Sequence, residues 1–128
     1  MTSAAKTVPG DKTRWVVEAA LDVKAEDVVA LDVGELSSFA DVFVICTGRS
    51  DRQVRAIADS VEKAARQAGE PPLGIEGYAD GRWVLIDLDD VIVHVFTPET
   101  REHYDIERLW SDAPRIELAA PAAGRAAP

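Results

Sequence analysis

The chain has 128 residues, of which 47% are hydrophobic, and this length suits one domain with a single core. No apolar run is long enough to cross a bilayer, and the first residues lack the apolar segment of a signal peptide, so a cytoplasmic protein is expected. The formal net charge of −9 argues against direct nucleic-acid binding and favours a basic partner, unless the charge serves solubility alone.

The first half of the chain predicts two helices separated by two strands. Asp11 can cap the first helix, and a strand rich in β-branched residues follows over residues 27–33. DVFVICTG is apolar on both faces, as in a central strand, and its cysteine is expected to be a small buried hydrophobe. Ser50 and Gln53 form a capping box for a regular helix that ends at a glycine and two prolines. A strand, a helix and a returning strand predict at least one parallel pair.

WVLIDLDDVIVHVF, residues 83–96, predicts a hairpin with two different faces. A two-residue turn at Asp89 and Asp90 fixes the pairing, because side chains alternate between the faces of a sheet. One face is aliphatic and is expected to be core. The other pairs Trp83 with Phe96, Leu85 with His94, and Asp87 with Ile92. This mixed face resembles a partner-binding surface, although ordinary core under a helix would look similar.

The last predicted helix covers residues 98–110, with Thr97 as its N-cap and Pro98 at its first position. Together these elements predict an α/β (α+β) fold, a mixed β-sheet flanked by helices. The predicted organisation is a flexible leader over residues 1–10, one domain over 11–112, and a disordered Ala/Pro-rich tail over 113–128. Because the tail offers little apolar burial, removing residues 115–128 is expected to leave the thermal stability nearly unchanged.

An enzyme is the alternative hypothesis. Asp87, Leu88 and Asp89 place two carboxylates as a metal-dependent nucleotidyltransferase requires, and TGRS, residues 47–50, could hold a phosphate at a helix N-terminus. The two acids lie at a turn beside Asp90, however, where carboxylates are common for conformational reasons. Neither histidine has the neighbours that a zinc site needs.

Two long phrases carry a family resemblance. ADVFVICTGRSDRQVRAIAD and EGYADGRWVLIDLDDVIVHVFTPETREHYDIERLW resemble the bacterial ribosomal silencing factor family, also called the Iojap-like family, over residues 10–111. The resemblance implies a nucleotidyltransferase-like fold without the active site. It also implies binding to the large (50S) ribosomal subunit through ribosomal protein number fourteen at the intersubunit face, which blocks subunit joining and represses translation under nutrient limitation.

The same resemblance implies which residues bind the partner. Trp83, in the WVL phrase, and Tyr104, in the last helix, are the principal positions. Further partner-binding candidates, from the VHVF phrase and the hairpin tip, are His94, Phe96, Asp87 and Asp90. The family also implies a homodimer in the free state, and no catalytic residue, metal or cofactor is expected.

Overall fold

The computed structural model describes residues 10–118. The helices are α1 (Asp11–Asp22), α2 (Asp51–Gln67), α3 (Pro98–Tyr104) and α4 (Ile106–Leu109). The strands are β1 (Glu26–Asp32), β2 (Val42–Thr47), β3 (Gly74–Glu76), β4 (Trp83–Asp87) and β5 (Val91–Phe96). They form one sheet in the order β1-β2-β5-β4-β3. The predicted mixed sheet flanked by helices is confirmed. Between residues 10 and 118, no helix has the length and hydrophobicity to cross a membrane.

The predicted parallel pair is β2 with β5, although the returning strand is not the first one after α2. The chain first forms β3 and β4, which pair antiparallel to each other. They lie on the side of β5 opposite to β2. The capping box is present in part: Ser50 Oγ accepts the Gln53 N–H at 3.1 Å, while Gln53 Oε1 accepts the N–H of Arg49 instead of Ser50. Cys46 is buried, as predicted, and burial raises the pKa of its thiol to about 12.

The hairpin of β4 and β5 has the predicted register. The pairs on its mixed face are Trp83 with Phe96, Leu85 with His94, and Asp87 with Ile92. At the turn, the Leu88 N–H donates to the Val91 carbonyl at 2.9 Å, and Asp89 adopts a left-handed conformation with φ 76°. The aliphatic face is buried against α1 and α2 in the larger of two hydrophobic clusters. We call this side of the sheet the first face.

Two predicted helix boundaries are wrong. The N-cap of α1 is Gly10, and Asp11 is the first helical residue. The predicted helix over residues 98–110 breaks at Asp105, which has φ 47° and separates α3 from α4. The left-handed residue lets its own N–H bond to the carbonyl of Arg101 at 2.8 Å, which closes α3 and turns the chain back toward the sheet.

The predicted disordered tail is wrong for residues 113–118. The Pro114 carbonyl accepts the Asp32 N–H, and the Ile116 N–H donates to the Ala30 carbonyl, each at 2.8 Å. Ala113 is buried, and Ile116 and Leu118 pack against the larger cluster. The reason is that β1 is an edge strand, whose unpaired backbone groups are satisfied by this segment. The rest of the tail and residues 1–9 of the predicted leader lie outside the described residues, whereas Gly10 is the N-cap of α1.

This packing changes the expected effect of removing the tail. Deleting residues 115–128 should lower the free energy of unfolding by about 2 kcal/mol, because two half-buried aliphatic side chains and a backbone hydrogen bond are lost. Urea unfolding measures the change. A chain that ends at Leu118 keeps these contacts and serves as the control. Equal stability of the wild type and the chain lacking residues 115–128 would contradict the prediction.

Candidate partner-binding site

The opposite side of the sheet, which we call the second face, is covered within residues 10–118 by the short helices α3 and α4, by the segment after them, and by the loop between β1 and β2, which contributes Val33 and Ala40. Its cluster contains buried residues of β1, β2 and β5 together with Ile106 and Ala113. Trp83 begins β4 at the edge of this cover and is half-buried. Tyr104 ends α3 and is 50% exposed. The second face therefore leaves aromatic side chains partly open to solvent.

Trp83 and Tyr104 are in direct contact. Their ring centroids lie 4.9 Å apart with the planes at 44°, and the Trp83 ring also lies 4.9 Å from that of Phe96 beneath it. We call Trp83 and Tyr104 together the aromatic surface. The structure thus brings together the two principal predicted residues, which are 21 positions apart in the chain, at the start of β4.

Arg101 anchors the helix that carries Tyr104. Its Nη1 donates to the Asp27 carbonyl and to Thr47 Oγ1, each at 2.8 Å. Its Nε and Nη2 donate to the two carboxylate oxygens of Glu107 at 2.9 and 3.1 Å. These hydrogen bonds hold the pKa of Glu107 below its usual value. One partly buried guanidinium therefore ties α3 to β2, to the start of β1 and to α4.

Replacing Arg101 with alanine should lower the free energy of unfolding by about 2 kcal/mol, because the Glu107 carboxylate stays partly buried without its bidentate partner. The lowered pKa of Glu107 means that this stabilisation is present above the unfolded-state pKa of the carboxyl group and is lost as the pH falls through the folded-state value. Urea unfolding at pH 7 measures the loss. The exposed Arg108 provides the matched control, and an equal effect of Arg108→Ala would contradict the anchoring role.

His94 and Phe96 are not surface residues. Their exposed fractions are 6% and 0%, so the predicted partner-binding face is covered at these two positions. The reason is tertiary: α3, α4 and Trp83 lie over β5. His94 nevertheless contacts the aromatic surface, since the Trp83 Nε1–H donates to His94 Nδ1 at 3.2 Å. Burial lowers the pKa of His94 to about 4, so the ring is neutral at pH 7.

Asp87 and Asp90 lie at the other end of the hairpin. Asp87 is four residues from Trp83 along β4, a separation of about 13 Å in a strand. Its Oδ1 accepts the Asp89 N–H at 2.9 Å, which stabilises the turn. Asp90 Oδ1 accepts a hydrogen bond from Lys12 Nζ at 2.6 Å, which ties the tip to α1. The structure does not bring these two carboxylates to the aromatic surface.

The hypothesis of a metal-binding enzyme gains no support from this tip. Within residues 10–118, no group of three or more histidine, cysteine, aspartate or glutamate side chains is arranged to hold a metal ion. The predicted pair of acids instead takes part in the turn, where Asp87 bonds to the backbone of Asp89. Aspartate is common at tight turns because its carboxylate accepts backbone hydrogen bonds, and this accounts for these side chains.

The structure shows two exposed apolar side chains that the sequence prediction missed. Phe39 is 65% exposed and Leu109 is 77% exposed. Phe39 contacts Phe43, whose ring lies 4.9 Å from both His94 and Trp110. Phe39 belongs to the loop between β1 and β2, and a lone aromatic residue within the polar stretch GELSSFAD was the available signal.

A cavity of about 1030 Å³ lies beside the aromatic surface, between the start of α2, the loop before β4, and α3. Trp83 and Tyr104 form part of its wall. Its charged lining residues include Arg49, Arg82, Asp80 and Glu99. An aromatic centre with a charged and polar border is the usual anatomy of a protein–protein interface.

Comparisons with known proteins agree on one family. A family model described as "Ribosomal silencing factor during starvation" matches residues 6–128. "Ribosomal silencing factor RsfS" from Halalkalibacterium halodurans is 51% identical over 102 residues, which are 80% of this chain and 87% of that protein. The crystal structure of a Chromobacterium violaceum protein matches with a TM-score of 0.78 and 42% identity, covering 79% of this chain and 84% of that one.

A more distant relative has an informative name. "Mitochondrial assembly of ribosomal large subunit protein 1" from Mus musculus is 31% identical over 90 residues, which are 68% of this chain and 40% of that protein. The name refers to the mouse protein, and the similarity covers less than half of its length.

Proposed function

The chain belongs to the ribosomal silencing factor family, and from this premise we propose that it binds the large ribosomal subunit through ribosomal protein number fourteen. Binding at the intersubunit face blocks joining of the small subunit and so represses translation when nutrients are short. The observation that carries the proposal is the aromatic surface, where Tyr104 is half exposed and is supported by Trp83. Exposed aromatic side chains on a fixed support are typical anchors of protein interfaces.

Two further observations support a ribosomal protein as the partner. The net charge of −9 repels RNA and favours association with a basic protein. A mouse relative has the large ribosomal subunit in its name, which makes that subunit the natural candidate. The family resemblance also favours a homodimer in the free state through a surface near the aromatic surface, which analytical ultracentrifugation would detect.

The protein acts in this proposal by binding and not by catalysis. The pair of acids that suggested nucleotidyl transfer is part of the hairpin turn, since Asp87 Oδ1 accepts the N–H of Asp89. Titration calorimetry with Mg²⁺ and a nucleoside triphosphate tests the alternative directly. Metal-dependent nucleotide binding that disappears in Asp87→Asn would favour the enzyme over the silencing factor.

Sedimentation with separated ribosomal subunits tests the proposed partner. The purified protein should migrate with the large subunit and not with the small one, and it should lower the yield of joined ribosomes in a gradient. Raising the salt concentration should slow association, because an acidic protein and a basic one attract each other over a distance that salt shortens. Equal migration with both subunits, or unchanged subunit joining, would contradict the proposal.

A further inference from the structure

His94 has a buried polar atom with no hydrogen-bond partner within residues 10–118. The side chain is 6% exposed and packs among aromatic rings, with Phe43 at 4.9 Å, Trp83 at 6.0 Å and Phe96 at 6.1 Å between centroids. Nδ1 accepts the indole N–H of Trp83, but Nε2 has no hydrogen-bond partner among the residues that the structure describes. Buried polar groups are almost always paired, so this exception needs an explanation.

The hydrogen bond to Trp83 determines where the histidine carries its proton. An indole nitrogen can only donate, so His94 Nδ1 must be the unprotonated nitrogen that accepts. A neutral imidazole then carries its proton on Nε2. Nε2 is therefore a buried N–H donor, and it has no acceptor in the part of the chain that the structure describes.

Stability alone does not explain a histidine at this position. A buried donor without an acceptor loses its hydration and gains nothing in return. Leucine would fill the same apolar setting without that cost. Leucine cannot accept the hydrogen bond from Trp83, however. We therefore look for the function of His94 in accepting this hydrogen bond.

We propose that His94 is a positioning residue of the aromatic surface, which holds the indole of Trp83 in the orientation that the partner meets. Trp83 is half-buried at the first position of β4, and its ring contacts His94, Phe96 and Tyr104. The ring contacts are nondirectional, whereas the hydrogen bond sets the rotation of the indole. An anchor that is already oriented loses less conformational entropy on binding. The inference rests on the proposed function, since it takes Trp83 to be an anchor.

Two substitutions separate positioning from folding. His94→Leu removes the acceptor and the orphaned donor together, and His94→Asn restores an acceptor close to the position of Nδ1. The leucine variant should melt at the same temperature as the wild type or higher, yet bind purified large subunits about five- to tenfold more weakly. The asparagine variant should recover most of the affinity, although it also buries a polar group.

The indole N–H resonance of Trp83 gives a readout that does not depend on the partner. The chain has three tryptophans, and the spectrum of Trp83→Phe assigns the signal of interest. In ¹⁵N-labelled protein this signal should shift and exchange faster with solvent in His94→Leu, and should return toward its wild-type position in His94→Asn. An unchanged signal in His94→Leu would overturn the proposal.

A double-mutant cycle tests whether His94 acts through Trp83. In a Trp83→Phe background there is no indole N–H to hold, so adding His94→Leu should not reduce affinity further. Additive losses would overturn the proposal, and so would a lower melting temperature of His94→Leu, which would make the histidine structural. If His94→Leu binds with wild-type affinity while Trp83→Ala binds more weakly, only this proposal is overturned. If Trp83→Ala also binds with wild-type affinity, the proposed site is overturned as well.

Discussion

Alanine in place of Tyr104 should weaken binding to the large ribosomal subunit by about 2 kcal/mol or more, because aromatic anchors that lose their hydration dominate protein interfaces. The free energy of unfolding should change by less than about 1 kcal/mol, since the side chain is 50% exposed in the free protein. Binding is measured by sedimentation or calorimetry with purified subunits, and stability by urea unfolding of the same preparations.

Trp83→Ala should weaken binding to a similar extent but should also lower the free energy of unfolding by about 2 kcal/mol, because the ring is half-buried against Phe96. The matched control is Tyr78→Ala. Tyr78 is 41% exposed, similar to Tyr104, but its hydroxyl donates to Asp59 on α2, the helix that covers the first face. Equal loss of binding in the control, or full inhibition of subunit joining by a folded Trp83 and Tyr104 double variant, would remove these residues from the site.

Acidification should destabilise the protein through His94. The pKa of this group is about 4 in the folded protein and 6.5 in the unfolded chain, so between these values only the unfolded state binds the proton. The free energy of unfolding should therefore fall as the pH is lowered through this window, by about 3 kcal/mol in total. Above pH 6.5 neither state is protonated, and the histidine contributes no pH dependence.

The difference between the wild type and His94→Leu isolates this effect. Carboxylates such as Glu107, whose pKa is also lowered in the folded state, contribute acid destabilisation to both proteins. Urea unfolding at pH 7, 5.5 and 4 should therefore show a steeper loss for the wild type than for the leucine variant. Parallel curves would mean that His94 is hydrated in the folded protein.

The hairpin register was predictable because it depends on local alternation. A two-residue turn sets which residues of β4 and β5 are opposite, and every cross-strand pair follows from it. The helix after Ser50 was predictable for a similar reason, since its cap and its apolar stripe are contained in one segment. The family resemblance, in turn, pointed to Trp83 and Tyr104 as candidate binding residues, and no periodicity could have indicated that their rings are in contact.

The amino-acid sequence by itself determined the mixed sheet, the buried aliphatic face and the family, because alternation, capping and long specific phrases are properties of contiguous residues. Only the tertiary structure decided the exposure of the candidate site residues. His94 and Phe96 are buried because the chain turns at Asp105 and lays α3 and α4 over β5, and residues 113–118 are ordered because they meet the edge of β1. Such contacts join segments far apart in the chain, so the burial they produce depends on three-dimensional packing that local patterns do not encode.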